Sequence, residues 1–199
     1  MDGLLFLWIS WMLWVMVTFF IRRNQGRYKL SIWILTTIIC SNIYVMIPSL
    51  DISLSFISLI VGGFVLFVMT NQRVYHFICS FTVMIGYVSF LIWEQQAPVW
   101  VLLPRDVLLP FFMLIMCTFI AQGLLSRTAI VLIGMCCGDL LYSLMLLQYS
   151  FERAVGTLIF LDSLFVVIFI LFIIEGLRVC TSYVKVRIHH MKLPLQAKP

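Results

Sequence analysis

The side chains best placed for chemistry are two aspartates inside long apolar runs, Asp139 and Asp162. A carboxyl group at such a depth costs about 2.5–3.5 kcal/mol on membrane-insertion scales, so it needs a function or a partner. The two runs are joined by the short polar link 148–154, which makes them neighbours in an antiparallel hairpin. At about 1.5 Å of rise per residue in an apolar core about 30 Å thick, the two aspartates differ in height by only about 5 Å.

Two interpretations of this pair follow from the residue types. A pair of carboxyl groups at one height, with Tyr142 and Ser143 as nearby donors, predicts a site that binds a proton or a cation. Alternatively, each acid is neutral and hydrogen-bonded to neighbouring helices, where it stabilises the packing. The second interpretation is favoured, because the sequence places no basic residue at the same depth.

A second pattern lies one turn before Asp139. Gly134 and Gly138 form a small-xxx-small motif, which allows two helices to approach closely. We expect it to form a contact within the bundle rather than a dimer interface.

Motifs of enzymes and metal sites are missing from the sequence. It contains no HExxH, CxxC, GxSxG, P-loop or GxGxxG pattern. A hydrolase built from Asp139 with Ser143 or Tyr142, or a lipid-active enzyme, would need further reactive groups at matching depth. We therefore expect no enzyme activity, no metal and no cofactor.

The composition indicates a membrane protein. The 199 residues are 63% hydrophobic and 11% charged, whereas soluble domains are about 45–50% apolar and about 25% charged. Continuous apolar runs of this length are typical of transmembrane helices rather than barrel strands. The prediction is an all-α integral membrane bundle of seven helices, at residues 3–21, 30–47, 52–70, 74–93, 107–125, 129–147 and 155–177.

The basic residues predict the orientation. With the N-terminus outside, eleven of the 13 lysines and arginines fall on the inner side, and only Arg105 and Arg153 fall outside. Such a bias follows the positive-inside rule. It also places the basic tail, residues 178–199, in the cytoplasm.

The net charge of +5 does not indicate nucleic-acid binding, because the charges cluster beside membrane exits. There they set the topology and attract anionic lipid head groups. The residues assigned to this role are Arg22, Arg23, Arg27, Lys29, Lys185 and Arg187. Membrane lipids, together with other membrane proteins, are the expected partners.

The opening MDGLLFLWISWMLWVMVTFFIRRNQ, the junction RRNQGRYK and the seven-span outline resemble the YphA-type small multi-pass membrane proteins of spore-forming firmicutes. The resemblance implies a protein of the bacterial cytoplasmic membrane whose biochemical role is unassigned. It carries no functional residues over to this chain.

Two functions remain to be compared. The links are short and no reactive cluster is present, which favours a non-enzymatic scaffold, assembly factor or accessory subunit. The alternative is a small proton- or ion-coupled transporter that uses Asp139 and Asp162.

Overall fold

The structure is a computed structural model that describes residues 3–20, 23, 25–47, 50–70, 73–96, 104–149 and 154–192. Most of this part of the chain is helical, and two short strands lie between the second and third helices. The elements, in chain order, are α1 Leu4–Phe20, α2 Gln25–Cys40, β1 Tyr44–Ile47, β2 Leu50–Ser53, α3 Leu54–Val68, α4 Arg73–Gln96, α5 Arg105–Ile120, α6 Leu124–Gln148 and α7 Leu158–Lys192.

Three of the described helices are long and apolar enough to cross a bilayer. They are Arg73–Gln96, Leu124–Gln148 and Leu158–Arg178, the last being the apolar part of α7. Helices α1 and α3 are also apolar but shorter. The prediction of a mostly helical membrane protein is thereby supported by length and composition, since spanning the hydrocarbon takes about 20 residues.

Helix α6 lies at the centre of the bundle. It packs against α3, α4, α5 and α7, while α1 packs on α7 and α2. Its central turns are buried on nearly all sides, from Ala129 to Asp139. A helix that is apolar all round is suited to such a position.

The two glycines of α6 face α4 at close range. A Cβ atom added to Gly134 would lie 2.7 Å from the Cγ1 atom of Val83 and 2.9 Å from the carbonyl oxygen of Ser80. A Cβ atom added to Gly138 would lie 2.8 Å from the ring of Tyr87. The small-xxx-small motif therefore lies at a contact between two helices of the same chain, where the missing side chains let the backbones approach.

The structure departs from the all-α prediction between α2 and α3. The predicted span 30–47 is helical only to Cys40, and Tyr44–Ile47 then pairs antiparallel with Leu50–Ser53. Strand β2 also takes the first two residues of the predicted span 52–70. Short apolar segments suit a strand as well as a helix, and here the strands have a further pairing partner.

That partner is the link between α6 and α7. The amide of Ser53 donates to the carbonyl of Val155 at 3.1 Å, and the amide of Val155 donates to the carbonyl of Asp51 at 2.7 Å. Ile52 and Val155 form a parallel bridge. The hairpin and the α6–α7 link thus satisfy each other's backbone groups.

Other helix ends differ from the predicted spans. Helix α6 begins at Leu124 instead of residue 129, and α7 begins at Leu158 and continues to Lys192 through much of the basic tail. Residues 97–103, which precede α5, lie outside the described residues.

We expect Gly134→Ala to lower the free energy of unfolding by about 1–3 kcal/mol, because the new methyl group forces α4 and α6 apart. Gly176→Ala is the matched control, since nothing lies within 4 Å of a Cβ atom at that helical position. Thermal unfolding in detergent measures both variants. Equal stability of Gly134→Ala and the unmodified chain would contradict the tight contact.

Candidate functional site: two buried carboxyl groups

Asp139 lies on the central helix α6 and is fully buried, with 0% of its surface exposed. Its Oδ2 atom accepts a hydrogen bond from the amide of Gly156 at 2.9 Å. Its Oδ1 atom accepts a hydrogen bond from the hydroxyl group of Tyr87 at 3.3 Å. Both carboxyl oxygens are therefore engaged, one by α4 and one by the link that precedes α7.

Gly156 is held in a conformation that favours glycine. Its φ angle is +71°, and an added Cβ atom would lie 2.6 Å from the Cβ atom of Phe56 on α3. A side chain at this position would be strained by both the backbone angle and the contact. The chain therefore turns at Gly156 deep enough in the bundle for its amide to reach Asp139.

Aromatic rings surround this turn. Phe160 lies edge-on to Phe56, with ring centroids 5.9 Å apart, and edge-on to Tyr87, with centroids 6.2 Å apart. These rings fix Tyr87, whose hydroxyl group reaches the carboxyl group of Asp139.

Asp162 binds a different part of the chain. It lies on α7, is 6% exposed, and accepts hydrogen bonds from the amides of Gly3 at 2.7 Å and Phe6 at 2.6 Å. These amides belong to the first turn of α1, where helix N–H groups have no partner within the helix. Asp162 therefore caps α1 from another helix, with its acceptor oxygens at the positive end of the helix dipole.

The two aspartates of the predicted pair thus stabilise different parts of the structure. Asp139 takes its donors from Tyr87 and Gly156, and Asp162 takes its donors from the start of α1. The donors of each carboxyl group come from other segments of the chain, so each acid joins its helix to those segments. Most of these donors are backbone amides, which a pattern of side chains in the sequence does not reveal.

The two predicted donors lie near Asp139 on α6. Tyr142 is buried but also lines an outer groove of about 380 Å³ together with Gln95, Gln96 and Tyr149. Ser143 is buried, and its hydroxyl oxygen has no hydrogen-bond partner among the described residues. Neither residue was predicted to border a groove.

Two arginines contact the carbonyl ends of helices. Arg27, predicted to meet lipid head groups, donates to the carbonyl of Thr18 near the end of α1 at 2.9 Å. Arg127 is buried and donates through Nε to the carbonyl of Ala121, which follows α5, at 2.8 Å. Cations near helix C-termini stabilise the unpaired carbonyl groups.

The other predicted head-group residues are less fully described. Arg23 and Lys29 are exposed near the α1–α2 link. Arg22 lies outside the described residues, as do the side chains of Lys185 and Arg187. For the part of the chain that is described, no group of three or more His, Cys, Asp or Glu side chains could hold a metal ion.

Comparison with known proteins identifies the family. The model of the YphA-like integral membrane protein family matches residues 2–196. The chain belongs to this family. A curated relative is the uncharacterized protein YphA of Bacillus subtilis (strain 168), 22% identical over 157 residues, which cover 78% of each chain. No solved structure matches the chain.

The family match confirms the predicted resemblance and the membrane location. YphA-like proteins are described as integral membrane proteins, in agreement with the apolar helices of this chain. The match does not supply a reaction, a ligand or a set of functional residues, so function must be argued from the two carboxyl groups.

We expect Asp162→Ala to lower the free energy of unfolding by about 2–4 kcal/mol, because two buried amides of α1 lose a charged acceptor. Hydrogen exchange at residues 3–6 should accelerate, while exchange in α6 stays slow. The control is Asp51→Ala, which removes an exposed carboxyl group. Unchanged exchange at the start of α1 would show that Asp162 does not hold that helix.

Proposed function

We propose that this YphA-like protein is a non-enzymatic scaffold, assembly factor or accessory subunit of the bacterial cytoplasmic membrane. In this proposal it acts through contacts of its helices with lipids and with other membrane proteins. The observation that carries the proposal is the engagement of both carboxyl oxygens of Asp139 and of Asp162 by donors within the bundle. Acids used in this way stabilise the fold, because each of their oxygens accepts a hydrogen bond from another segment of the chain.

The orientation proposed with this function has seven spans, the N-terminus outside and the C-terminus in the cytoplasm. The distribution of basic residues along the sequence supports it. Arg27 and Arg127 both lie at links that this topology assigns to the inner side, and Asp51 lies in the hairpin assigned to the outer side.

A small proton- or ion-coupled transporter is the second candidate. The observation that favours it is the position of Tyr142, which lines the outer groove and lies one turn along α6 from Asp139. Tyr142 thus belongs both to the groove lining and to the turn of α6 that follows Asp139. In this alternative Asp139 would exchange protons by way of Tyr142.

Proton flux into vesicles distinguishes the two candidates. We expect vesicles that contain the purified protein and a pH-sensitive dye to show the same proton flux as empty vesicles, because the buried acids are engaged in structural hydrogen bonds. Asp139→Asn and Asp162→Asn should reduce the folded yield without changing the flux. The control for yield is Asp51→Asn.

A flux that requires the unmodified protein and disappears in folded Asp139→Asn would favour the transporter. The scaffold proposal has its own positive readout in cells. A photo-reactive residue placed at Phe119, which is 87% exposed on α5, should give a discrete cross-linked protein band. A chain that cross-links only to lipid, from this and other exposed helix positions, would contradict the scaffold.

Reporters at the two ends test the orientation. With an odd number of spans, a reporter fused to the N-terminus should be active outside, and one fused to the C-terminus should be active in the cytoplasm. The positive-inside bias is the physical reason. Two reporters on the same side would exclude seven spans.

A further inference from the structure

A second groove lies on the bundle surface, and neither Asp139 nor Asp162 lines it. It has a volume of about 230 Å³ and lies among α3, α4 and α6. Its lining comprises Phe64, Phe67, Phe77, Ser80, Phe81, Met84, Ile133 and Cys137. The groove follows the half of α4 that is nearest to the α3–α4 turn.

The surface of the groove is wholly apolar. Phenylalanines form its walls, and the smaller side chains Ser80 and Cys137 leave the space between them. The hydroxyl oxygen of Ser80 is buried and is not exposed in the groove. Phe77 remains 65% exposed on the wall, so the occupant of the groove must itself be apolar.

A positive charge lies in line with the groove. Arg73 is the first residue of α4, and Phe77, Ser80 and Met84 follow it by four, seven and eleven residues. These spacings place all four residues on one face of the helix. Arg73 is exposed, and the ion pairs found in the described residues, Arg105–Glu94 and Arg178–Glu175, do not include it.

The length of this face matches one leaflet of a bilayer. Eleven residues at about 1.5 Å each give about 16 Å between Arg73 and Met84, and half of the hydrocarbon core is about 15 Å. The face therefore presents a cation at the membrane surface and an apolar groove that extends toward the membrane centre.

We propose that the groove among α3, α4 and α6 binds an anionic phospholipid, with one acyl chain in the groove and the phosphate group at Arg73. An amphiphile with one negative end matches the order of groups along α4. A second copy of this chain fits less well. A two-fold interface would bring the same patch of both copies together at one height, and the two Arg73 side chains would repel each other.

Lipid binding can be measured by native mass spectrometry of the full chain in detergent, with added phosphatidylglycerol or phosphatidylcholine. We expect one phosphatidylglycerol to be retained per chain, in preference to phosphatidylcholine. Arg73→Gln should weaken phosphatidylglycerol binding about fivefold, the effect of about one basic residue at an anionic surface, and leave phosphatidylcholine unchanged. Arg178→Gln is the matched control, because it removes another exposed arginine, on α7, that is not near the groove lining along the chain.

Two groove variants test the position of the acyl chain. Cys137→Phe should fill the groove and weaken binding of both lipids, and Phe77→Ala should remove part of the wall with the same result. Because Phe77 is 65% exposed, the second variant provides the test if the first does not fold. Phe111→Ala, at an exposed position on α5 outside the groove, is the control.

Three results would overturn the proposal. One is equal loss of phosphatidylglycerol in Arg178→Gln and Arg73→Gln, which would indicate attraction to net charge alone. Another is unchanged lipid binding in both groove variants. The third is a dimer that Cys137→Phe dissociates, which would identify a second copy of the chain as the occupant.

Discussion

Inside a packed helical bundle, a buried backbone N–H group without a partner in its own helix must find an acceptor elsewhere in the protein, because water is not there to provide one. This chain meets the requirement with two carboxyl groups. Asp139 accepts from the amide of Gly156 just before α7, and Asp162 accepts from the amides of Gly3 and Phe6 at the start of α1. The positions at which two helices begin are therefore set by acids on other parts of the bundle.

Charged groups of the opposite sign perform the equivalent task at helix ends. Arg27 contacts the carbonyl of Thr18 on α1, and Arg127 contacts the carbonyl of Ala121 after α5. Acids at helix starts and arginines at helix ends both complement the helix dipole. Only 11% of the residues are charged. The ionisable side chains described above lie within the bundle because they hydrogen-bond to backbone groups at helix ends.

The sequence was sufficient to predict the helices but not the hairpin. Long apolar runs have few alternatives to a helix in a membrane, whereas Tyr44–Ile47 continued such a run and carried no sign that it was a strand. It pairs with Leu50–Ser53, and that second strand pairs in turn with Val155, which is more than 100 residues further along the chain. Local patterns contain no information on a contact of that kind.

The candidate site was also predicted only in part. Asp139 and Asp162 were evident because a carboxyl group in an apolar run is unusual. Their partners were not, since Gly156, Gly3 and Phe6 donate backbone amides, which every residue other than proline possesses. The amide of Gly156 reaches Asp139 because the chain turns there within the bundle, whereas Asp162 takes its amides from the start of α1.

The hairpin pairing and the capping of α1 also determine when the chain can finish folding during its synthesis. Strand β2 and the first turn of α1 are made early, but Val155 and Asp162 are made only with the last apolar segment. Until that segment has been made, these amides lack the acceptors that they have in the folded bundle. Final assembly of the N-terminal half therefore waits for the C-terminal half.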